Sequence, residues 1–259
     1  ICELPEYYPT RTELALLAQV APEVASHVPE GAALVEFGSG ASLKTRQLLD
    51  HAPQIAVYTP IDISPSALDA AVESLSRDYQ GLTVAPLVDD FTVALELPEA
   101  AQGRPAFGFF PGSTIGNLLP EEAVEFLVNA RRLLGPGARF LVGADLVKAQ
   151  SVLVAAYDDS QGVTAAFNLN LLTRMNRELA ANFDLAAFAH RAVWNAPMSR
   201  IEMHLEALCD QTVQVAGRSF EFRAGETIHT ENSHKFTSEG FARLAAQAGW
   251  RLEGQWASP

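Results

Sequence analysis

The chain of 259 residues is long enough for one large α/β domain, or for one ordinary domain with a substantial insertion. Apolar residues make up 48% and charged residues 19%, which excludes a disordered chain, and no apolar run reaches the roughly 18 residues of a membrane span. A net charge of −13 without a clustered basic stripe argues against nucleic acid as a partner.

The setting of the protein is indicated by its cysteines and its first residues. Cys2 and Cys209 are too few for a disulfide framework, so we expect a reducing, cytoplasmic compartment. The first residues have neither the basic nor the apolar region of a signal peptide. No self-complementary apolar face is evident, so we expect a monomer.

Strand-like and helix-like segments alternate over the first 145 residues, after a start (residues 1–4) that is typical of the end of a helix. Helices are predicted at 12–27, 42–51, from Ser64-Pro65, and at 121–134, with Ser42 and Ser64 as N-caps. Apolar runs predict strands at 33–37, 55–62, 83–88, 106–110 and 139–144. Such alternation predicts a doubly wound, mostly parallel, Rossmann-like α/β sheet with helices on both faces.

The alternation stops after residue 147. Residues 151–193 have helical spacing, and strand-like pieces follow at 200–208, 212–215 and 219–222. A helix and then the start of a strand return at 240–256. We therefore predict a main domain of residues 12–147 plus 237–259, and an inserted α+β domain of residues 148–236 completed by residues 1–11.

Candidate cofactor residues stand at the ends of three consecutive predicted strands, where ligands bind in an open parallel sheet. The first strand ends in a glycine-rich turn, Gly38-Ser39-Gly40, which allows the backbone to approach a ligand closely. Asp62 ends the second strand and can accept from ribose hydroxyls; the pair Asp90-Phe91, after the third, suits an adenine. Each Asp alone is equally compatible with a cap or a turn, so the prediction depends on the three ends together.

Other nucleotides fit this pattern less well. A nicotinamide dinucleotide fingerprint requires Gly or Ala three residues after the second glycine, where this chain has Leu43. A phosphate-binding Gly-x-x-x-x-Gly-Lys-Ser/Thr run is not present. An acidic residue before Phe-Gly-Ser-Gly matches S-adenosylmethionine, which has no pyrophosphate, so we predict a class I methyltransferase that uses this cofactor.

Eight sequence blocks extend this interpretation. Together they cover nearly the whole chain in order, and they resemble the histidine Nα-methyltransferases of ergothioneine biosynthesis. The blocks are residues 4–13 (LPEYYPTRTE), 38–46 (GSGASLKTR), 112–117 (GSTIGN), 157–159 (YDD), 162–168 (GVTAAFN), 176–179 (NREL), 200–203 (RIEM) and 230–236 (TENSHKF).

The resemblance implies an activity: three successive methyl transfers from S-adenosylmethionine to the α-amine of L-histidine, which give hercynine. It also implies cofactor-binding roles for Gly38, Lys44, Asp62, Asp90 and Phe91, to which the glycine-rich turn adds Ser39 and Gly40 as predicted cofactor-binding residues. Residues that would hold the carboxylate and backbone end of histidine are Tyr7, Asn117 and Tyr157. The methyl-transfer site would be lined by Gly112 and Thr114, which we group with Tyr7 and Asn117 as catalytic. The imidazole pocket would comprise Met203, Glu231 and Ser233.

Ordinary structural roles for the substrate residues remain open at this stage. Tyr7 and Tyr157 would otherwise be surface or interface aromatics, and Asn117 a cap for the helix at Pro120. Met203 would be core filler, and Glu231 a solvated charge. The six histidines show no metal-ligand spacing, so no metal is predicted.

Two other functions and one question about the ends also stay open. The chain could methylate the α-amine of another, aromatic amino acid, or bind S-adenosylmethionine or histidine without catalysis. The family has a further segment before the Leu4 block, and the last strand pair of its sheet extends beyond Trp256. We therefore expect either a fragment with an incomplete amine site, or a whole protein whose ends lie outside this sequence.

Overall fold

Two units divide the chain in the computed structural model, which describes residues 1–39 and 43–258. Unit 1 comprises Ile1–Tyr8 and Leu146–Lys235, and unit 2 comprises Pro9–Asp145 and Phe236–Pro259. The functions predicted for these two parts of the chain stay predictions.

Helices and strands alternate in the described residues as far as Val142, except that the strands Thr83–Val84, Leu87–Val88 and Ala106–Phe110 follow one another without an α-helix between them. The α-helices are α1 (Tyr8–Ser26), α2 (Leu43–Leu49), α3 (Pro65–Asp78), α4 (Pro120–Leu134), α5 (Gln150–Tyr157), α6 (Val163–Glu178) and α7 (Ser238–Gln247). The strands are β1 (Ala32–Phe37), β2 (Ile55–Asp62), β3 (Thr83–Val84), β4 (Leu87–Val88), β5 (Ala106–Phe110), β6 (Arg139–Val142), β7 (Phe188–Asn195), β8 (Arg200–Ala207), β9 (Gln211–Val215), β10 (Arg218–Phe222) and β11 (Thr227–His234).

Unit 2 is built on a parallel sheet of order β3-β2-β1-β5-β6, with β4 also paired to β2. The strand order reverses between β1 and β5, so the loops after these two strands flank the position where ligands bind in such sheets. This architecture confirms the predicted doubly wound α/β fold.

The core of unit 2 lies on both faces of β1, whose six residues are all buried. Successive side chains of a strand point to opposite faces. Leu34 accordingly packs in one apolar cluster with Val24 of α1, whereas Val35 and Phe37 pack in another with Phe126 of α4. The helices on the two faces hold β1, and therefore Gly38 and Ser39 directly after it, in place.

Gly108 in β5 gives a stability prediction. A Cβ at this position would lie 2.6 Å from both Leu134 Cδ1 and Phe140 Cδ2. We expect Gly108→Ala to lower the free energy of unfolding by about 1–3 kcal/mol because the core has no room for the methyl group. Urea denaturation followed by circular dichroism measures this. Gly81→Ala, where nothing lies within 4 Å, is the matched control, and equal stability of the two variants would contradict the prediction.

Unit 1 contains an antiparallel sheet of order β11-β8-β7 and a separate hairpin of β9 and β10. Burial alternates along β8, so that Ile201, Met203 and Leu205 face the apolar side, while Glu202 and His204 face the other. Helices α5 and α6 contact β7 and β8. The apolar core of unit 1 therefore lies between this face of the sheet and helices α5 and α6.

In unit 1 one prediction was wrong and one strand was missed. Residues 151–193 are not helical throughout, because the last of them belong to β7, which pairs with β8. Alanines gave this segment a helical pattern, but its β-branched and aromatic residues (Phe188, Val193) favour the strand once a partner is available. Strand β11 was not predicted at all, since its residues are mostly polar.

Three local predictions also differ from the structure. Residues 83–88 form two short strands, because Pro86 between them has no N–H to donate to the ladder. Residues 248–258 form no strand, and Trp250 is instead fixed by donating to Leu127 O at 2.9 Å. Residues 1–4 form a turn closed by Leu4 N–H and Ile1 O at 2.9 Å, since the Pro that follows disfavours helix at Leu4.

Among the predicted N-caps, Ser64 is confirmed: its Oγ accepts from Ala67 N at 3.4 Å. Ser42 lies outside the described residues, as does the predicted cofactor residue Gly40. Within the part of the chain that the structure describes, no helix has both the length and the apolar character needed to cross a membrane.

Candidate active site

A fully buried carboxyl group lies just before the turn that follows β1. Thr45 Oγ1 donates to Glu36 Oε2 at 2.6 Å, and the Tyr58 hydroxyl donates to the same oxygen. Burial raises the pKa of Glu36 to about 7, although these two hydroxyl donors act to lower it. Glu36 thereby connects β1 to β2 and to the first turn of α2, on either side of the predicted cofactor turn.

The predicted cofactor residues lie along the carboxyl edge of the unit 2 sheet. Gly38 and Phe91 are neighbours, because a Cβ at Gly38 would lie 3.5 Å from Phe91 Cε1. Asp62 is half-buried and accepts from Ser64 N at 2.9 Å. Asp90 is exposed, and the N–H and hydroxyl of Thr92 both donate to its Oδ1, which lowers its pKa. Both carboxylates keep acceptor capacity beyond these bonds.

The residues of this edge fit S-adenosylmethionine by their chemistry. Ser39 Oγ is buried and has no hydrogen-bond partner among the described residues, so a polar ligand group would satisfy it. Asp62 and Asp90 offer acceptors for the hydroxyl and amino groups of a nucleoside. Phe91 offers an apolar face, although its ring also packs edge-on against Phe110 and Phe126. Lys44 supplies a positive charge for a carboxylate.

The turn after β5 contains the predicted methyl-transfer residues and is held by several side chains. Gly112 has a φ of +86°, in the left-handed region that favours glycine. Thr114 Oγ1 donates to Pro111 O at 3.1 Å, and Ser113 Oγ accepts from Asp145 N at 2.9 Å. A Cβ at Gly112 would lie 3.3 Å from both Lys44 Nζ and Thr114 Oγ1. The structure thus brings Gly112, Thr114 and Lys44 together.

Asn117 ends the short 3-10 helix (Thr114–Asn117) that follows this turn, and it is exposed. The alternative role considered for it, as a cap of α4, does not hold. Glu122 Oε2 instead accepts from Leu119 N, the residue before the helix, at 2.8 Å. The Asn117 amide is therefore not used to cap α4.

Unit 1 brings the remaining predicted substrate residues together. The rings of Tyr7 and Tyr157 meet edge-to-face, with centroids 6.0 Å apart. Met203 packs in the same apolar cluster as both tyrosines. Glu231 on β11 is the cross-strand partner of Met203 on β8, and Tyr157 OH lies 2.7 Å from Ser233 Oγ.

A buried lysine lies behind these hydroxyl groups. Lys235 Nζ donates to Tyr157 OH at 2.9 Å and to Ser233 Oγ at 3.0 Å, and the residue is 3% exposed. Because both oxygens accept from the ammonium, their own protons are left for each other or for a ligand. Burial raises the pKa of the half-buried Glu231, and the positive charge of Lys235 lowers it.

A separate polar cluster occupies the other face of the same sheet. Atoms of Glu202, His204 and His229 that could ligate a metal lie within 4.8 Å of one another. The two imidazole rings stack at 4.7 Å with planes 19° apart, so they do not converge on one point. Arg200 Nη2 lies 2.6 Å from Glu202 Oε1. Burial acts to raise the pKa of that glutamate carboxyl, but hydrogen bonds from Arg200, Asn195 and His204 lower it to about 2. The pairing of β8 with β11 forms this cluster, and the spacing of these residues in the sequence does not reveal it.

Two residues with a place at these sites carried no predicted role: Glu13, which contacts Lys44, and Lys235. Lys235 follows Ser233 by two positions, the period at which side chains of a strand share a face, so that signal was available. Glu13 ends the block LPEYYPTRTE, one of those that carry the family resemblance, but nothing in that block gave it a role of its own.

Comparison with known proteins agrees with the geometry. A solved structure described as an S-adenosylmethionine-dependent methyltransferase from Clostridium acetobutylicum matches with a TM-score of 0.50 and 11% identity, over 91% of this chain and 80% of that one. Curated proteins named histidine N-alpha-methyltransferase are 44% identical in both Mycolicibacterium smegmatis and Mycobacterium tuberculosis. The first match covers 100% of this chain and 81% of the relative, and the second 96% and 78%.

The sheet has the class I α/β fold. A family model described as histidine-specific methyltransferase, SAM-dependent, matches residues 1–259. Together with the fold and the curated relatives, this match defines the class: the protein is an S-adenosylmethionine-dependent methyltransferase. The chain belongs to the histidine-specific family of that model.

Proposed function

We propose that this protein transfers three methyl groups in turn from S-adenosylmethionine to the α-amine of L-histidine, giving hercynine on the route to ergothioneine. The observation that supports the choice of amino acid is the unit 1 group of Glu231, Ser233, Lys235 and Tyr157. It offers an acceptor and a hydroxyl donor, which together suit the two nitrogens of a neutral imidazole.

The cofactor supplies an electrophilic methyl group on a sulfonium. In each transfer a C–N bond forms to the α-nitrogen and the C–S bond breaks, with its electron pair staying on sulfur. The amine loses its proton to solvent before attack. Because the displacement is in-line, the contribution of the protein is mainly to orient the amine, and we assign this to Tyr7, Tyr157 and Asn117. Glu231 accepts from one ring nitrogen, and Ser233 donates to the other.

Rejection of other side chains follows from the buried polar groups. An indole has one N–H and no acceptor nitrogen, so tryptophan would leave the Ser233–Tyr157–Lys235 group without a ligand acceptor. Unpaired buried groups cost several kcal/mol, on the order of 3, which corresponds to a preference of roughly a hundredfold or more. Tyrosine likewise offers a single hydroxyl.

The direct test is mass spectrometry of histidine, tryptophan and tyrosine incubated together with the protein and S-adenosylmethionine. We expect histidine alone to gain three methyl groups. Methylation of tryptophan or tyrosine in preference would contradict the assigned pocket. Absence of any product while S-adenosylhomocysteine still binds would favour a non-catalytic binding protein instead.

We also propose a monomer in the cytoplasm. The two cysteines, Cys2 and Cys209, are exposed and unpaired, which is compatible with a reducing compartment. Light scattering coupled to size-exclusion chromatography measures the oligomeric state directly.

A further inference from the structure

The carboxylate of Glu13 contacts two predicted site residues of unit 2 at once: Lys44, predicted to bind the cofactor, and Gly112, predicted to line the methyl-transfer site. Glu13 lies on α1, outside the sheet. Its Oε1 and Oε2 each lie 2.9 Å from the backbone N of Gly112, and Oε2 also lies 2.5 Å from Lys44 Nζ. One side chain thus connects the turn after β5 to the lysine of α2.

Gly143, directly after β6, provides the space for this carboxylate. A Cβ at position 143 would lie 2.1 Å from Glu13 Oε1 and 3.2 Å from Gly112 N. Because no real Cβ approaches an oxygen at 2.1 Å, any side chain here would displace the Glu13 carboxylate. The loops after β5 and β6 and the first turn of α2 therefore meet around one charged group.

Partial burial strengthens the ion pair of Glu13 with Lys44 and its hydrogen bond from Gly112 N–H. The side chains of Glu13 and Lys44 are each 18% exposed, so solvent and salt screen their attraction less than at the surface. The Gly112 N–H donates to a charged acceptor, and such bonds are shorter and stronger than those between neutral groups. The ion pair and this hydrogen bond therefore favour one orientation of the Lys44 ammonium and the Gly112 peptide.

We propose that Glu13 is a positioning residue for S-adenosylmethionine binding. Glu13 fixes the positions of the Lys44 ammonium and the Gly112 peptide relative to each other. Lys44 then meets the carboxylate of the methionyl group of the cofactor, and the turn that carries Gly112 and Thr114 keeps its conformation. The inference rests on the roles proposed above for Lys44 and Gly112, and it adds a residue that touches neither reacting atom.

The first test uses Glu13→Gln, which keeps the shape of the side chain and removes its charge. We expect the Kd for S-adenosylhomocysteine, measured by calorimetry, to rise roughly tenfold, because a charge-assisted bond and an ion pair are lost. The KM for S-adenosylmethionine should rise likewise, while the KM for histidine stays within about twofold. Unchanged or tighter cofactor binding would overturn the proposal, since it would mean that Glu13 is neutral or competes for Lys44.

A double-mutant cycle tests whether Glu13 acts through Lys44. On a Lys44→Met background, we expect Glu13→Gln to weaken binding by less than half the factor that it causes in the wild-type protein. Independent, multiplying effects would show that the two residues do not act together, and would contradict the mechanism.

Gly143→Ala reaches the same carboxylate without changing Glu13. We expect it to reproduce the weaker cofactor binding of Glu13→Gln, whereas the control Gly81→Ala binds normally because nothing lies within 4 Å of that position. Normal binding by Gly143→Ala, with a melting temperature equal to that of the control, would refute the arrangement. These experiments need no histidine. A protein that binds cofactor in this way but methylates no histidine would contradict the proposed function and leave this inference standing.

Discussion

Replacing Asn117 with alanine is expected to abolish histidine methylation, with a loss of at least about a hundredfold in kcat/KM. Asn117 is exposed at the end of a turn whose preceding residues, Ile115 and Gly116, are buried. The backbone of that turn is fixed by Gly116 N and Ser113 O at 2.9 Å. The side-chain amide of Asn117 is therefore held by a hydrogen-bonded turn. It has two N–H donors and one acceptor oxygen, which suit the ammonium and carboxylate groups of an amino acid.

The design of this experiment separates binding from folding. Because Asn117 is exposed and is not used to cap α4, the variant should keep its stability within about 0.5 kcal/mol. The affinity for S-adenosylhomocysteine should also be unchanged. Asn170→Ala, at an exposed position of α6, is the matched control and should retain full turnover. If the Asn117 variant turns over histidine at the wild-type rate, the assignment of the substrate site is wrong.

Lys235→Met is expected to weaken histidine binding more at low pH than at high pH. Glu231 accepts a charge-assisted hydrogen bond from a ring nitrogen when it is a carboxylate, which exists above its pKa. Burial already raises that pKa, and the ammonium of Lys235 acts to lower it. Removing the ammonium leaves burial unopposed, so Glu231 takes up its proton at a higher pH than in the wild-type protein.

The measurement is the pH dependence of kcat/KM for histidine between about pH 5.5 and 8.5. We expect the acid limb to move to higher pH, and the KM at the acid end to rise about tenfold through loss of a charge-assisted hydrogen bond. The ring of histidine titrates in the same range, but equally in both proteins, so only the displacement is informative. On a Glu231→Gln background the displacement should disappear; its persistence would show that another group titrates.

The parts of the fold that could be predicted are those in which local pattern and tertiary contacts agree. The apolar run of β1 is buried on both faces, and Ser64-Pro65 carries its own cap and first helical residue. Strands β7 and β11 could not be predicted, because pairing with β8 determines them. Their own residues are rich in alanine in one case and in polar residues in the other.

The candidate site likewise has some residues that could be predicted from the sequence and others that could not. Glycines and acids at strand ends were found because a parallel sheet places its carboxyl ends at one edge, and Asp62 needs no distant partner to be recognised. Glu13 escaped notice because its significance arises from Gly112 and Gly143, which lie far from it in sequence. The Glu202–His204–His229 cluster likewise exists only through the register of β8 and β11. Long-range contacts, not residue types, carry this information.

The division of unit 2 into two segments has a consequence for how the chain acquires its structure. Phe236 N donates to Asp145 O at 2.9 Å, so the backbone resumes unit 2 beside the place where it left. Helix α7, which contacts α4, is made only after the whole stretch Leu146–Lys235. On a ribosome, the parallel sheet must wait for its last covering helix while unit 1 emerges. A loop of that length costs several kcal/mol, on the order of 5, to close by itself. If unit 1 folds early, it brings the two segments of unit 2 closer together and lowers the cost of joining them. Because α7 is synthesised last, unit 1 can fold before unit 2 is complete.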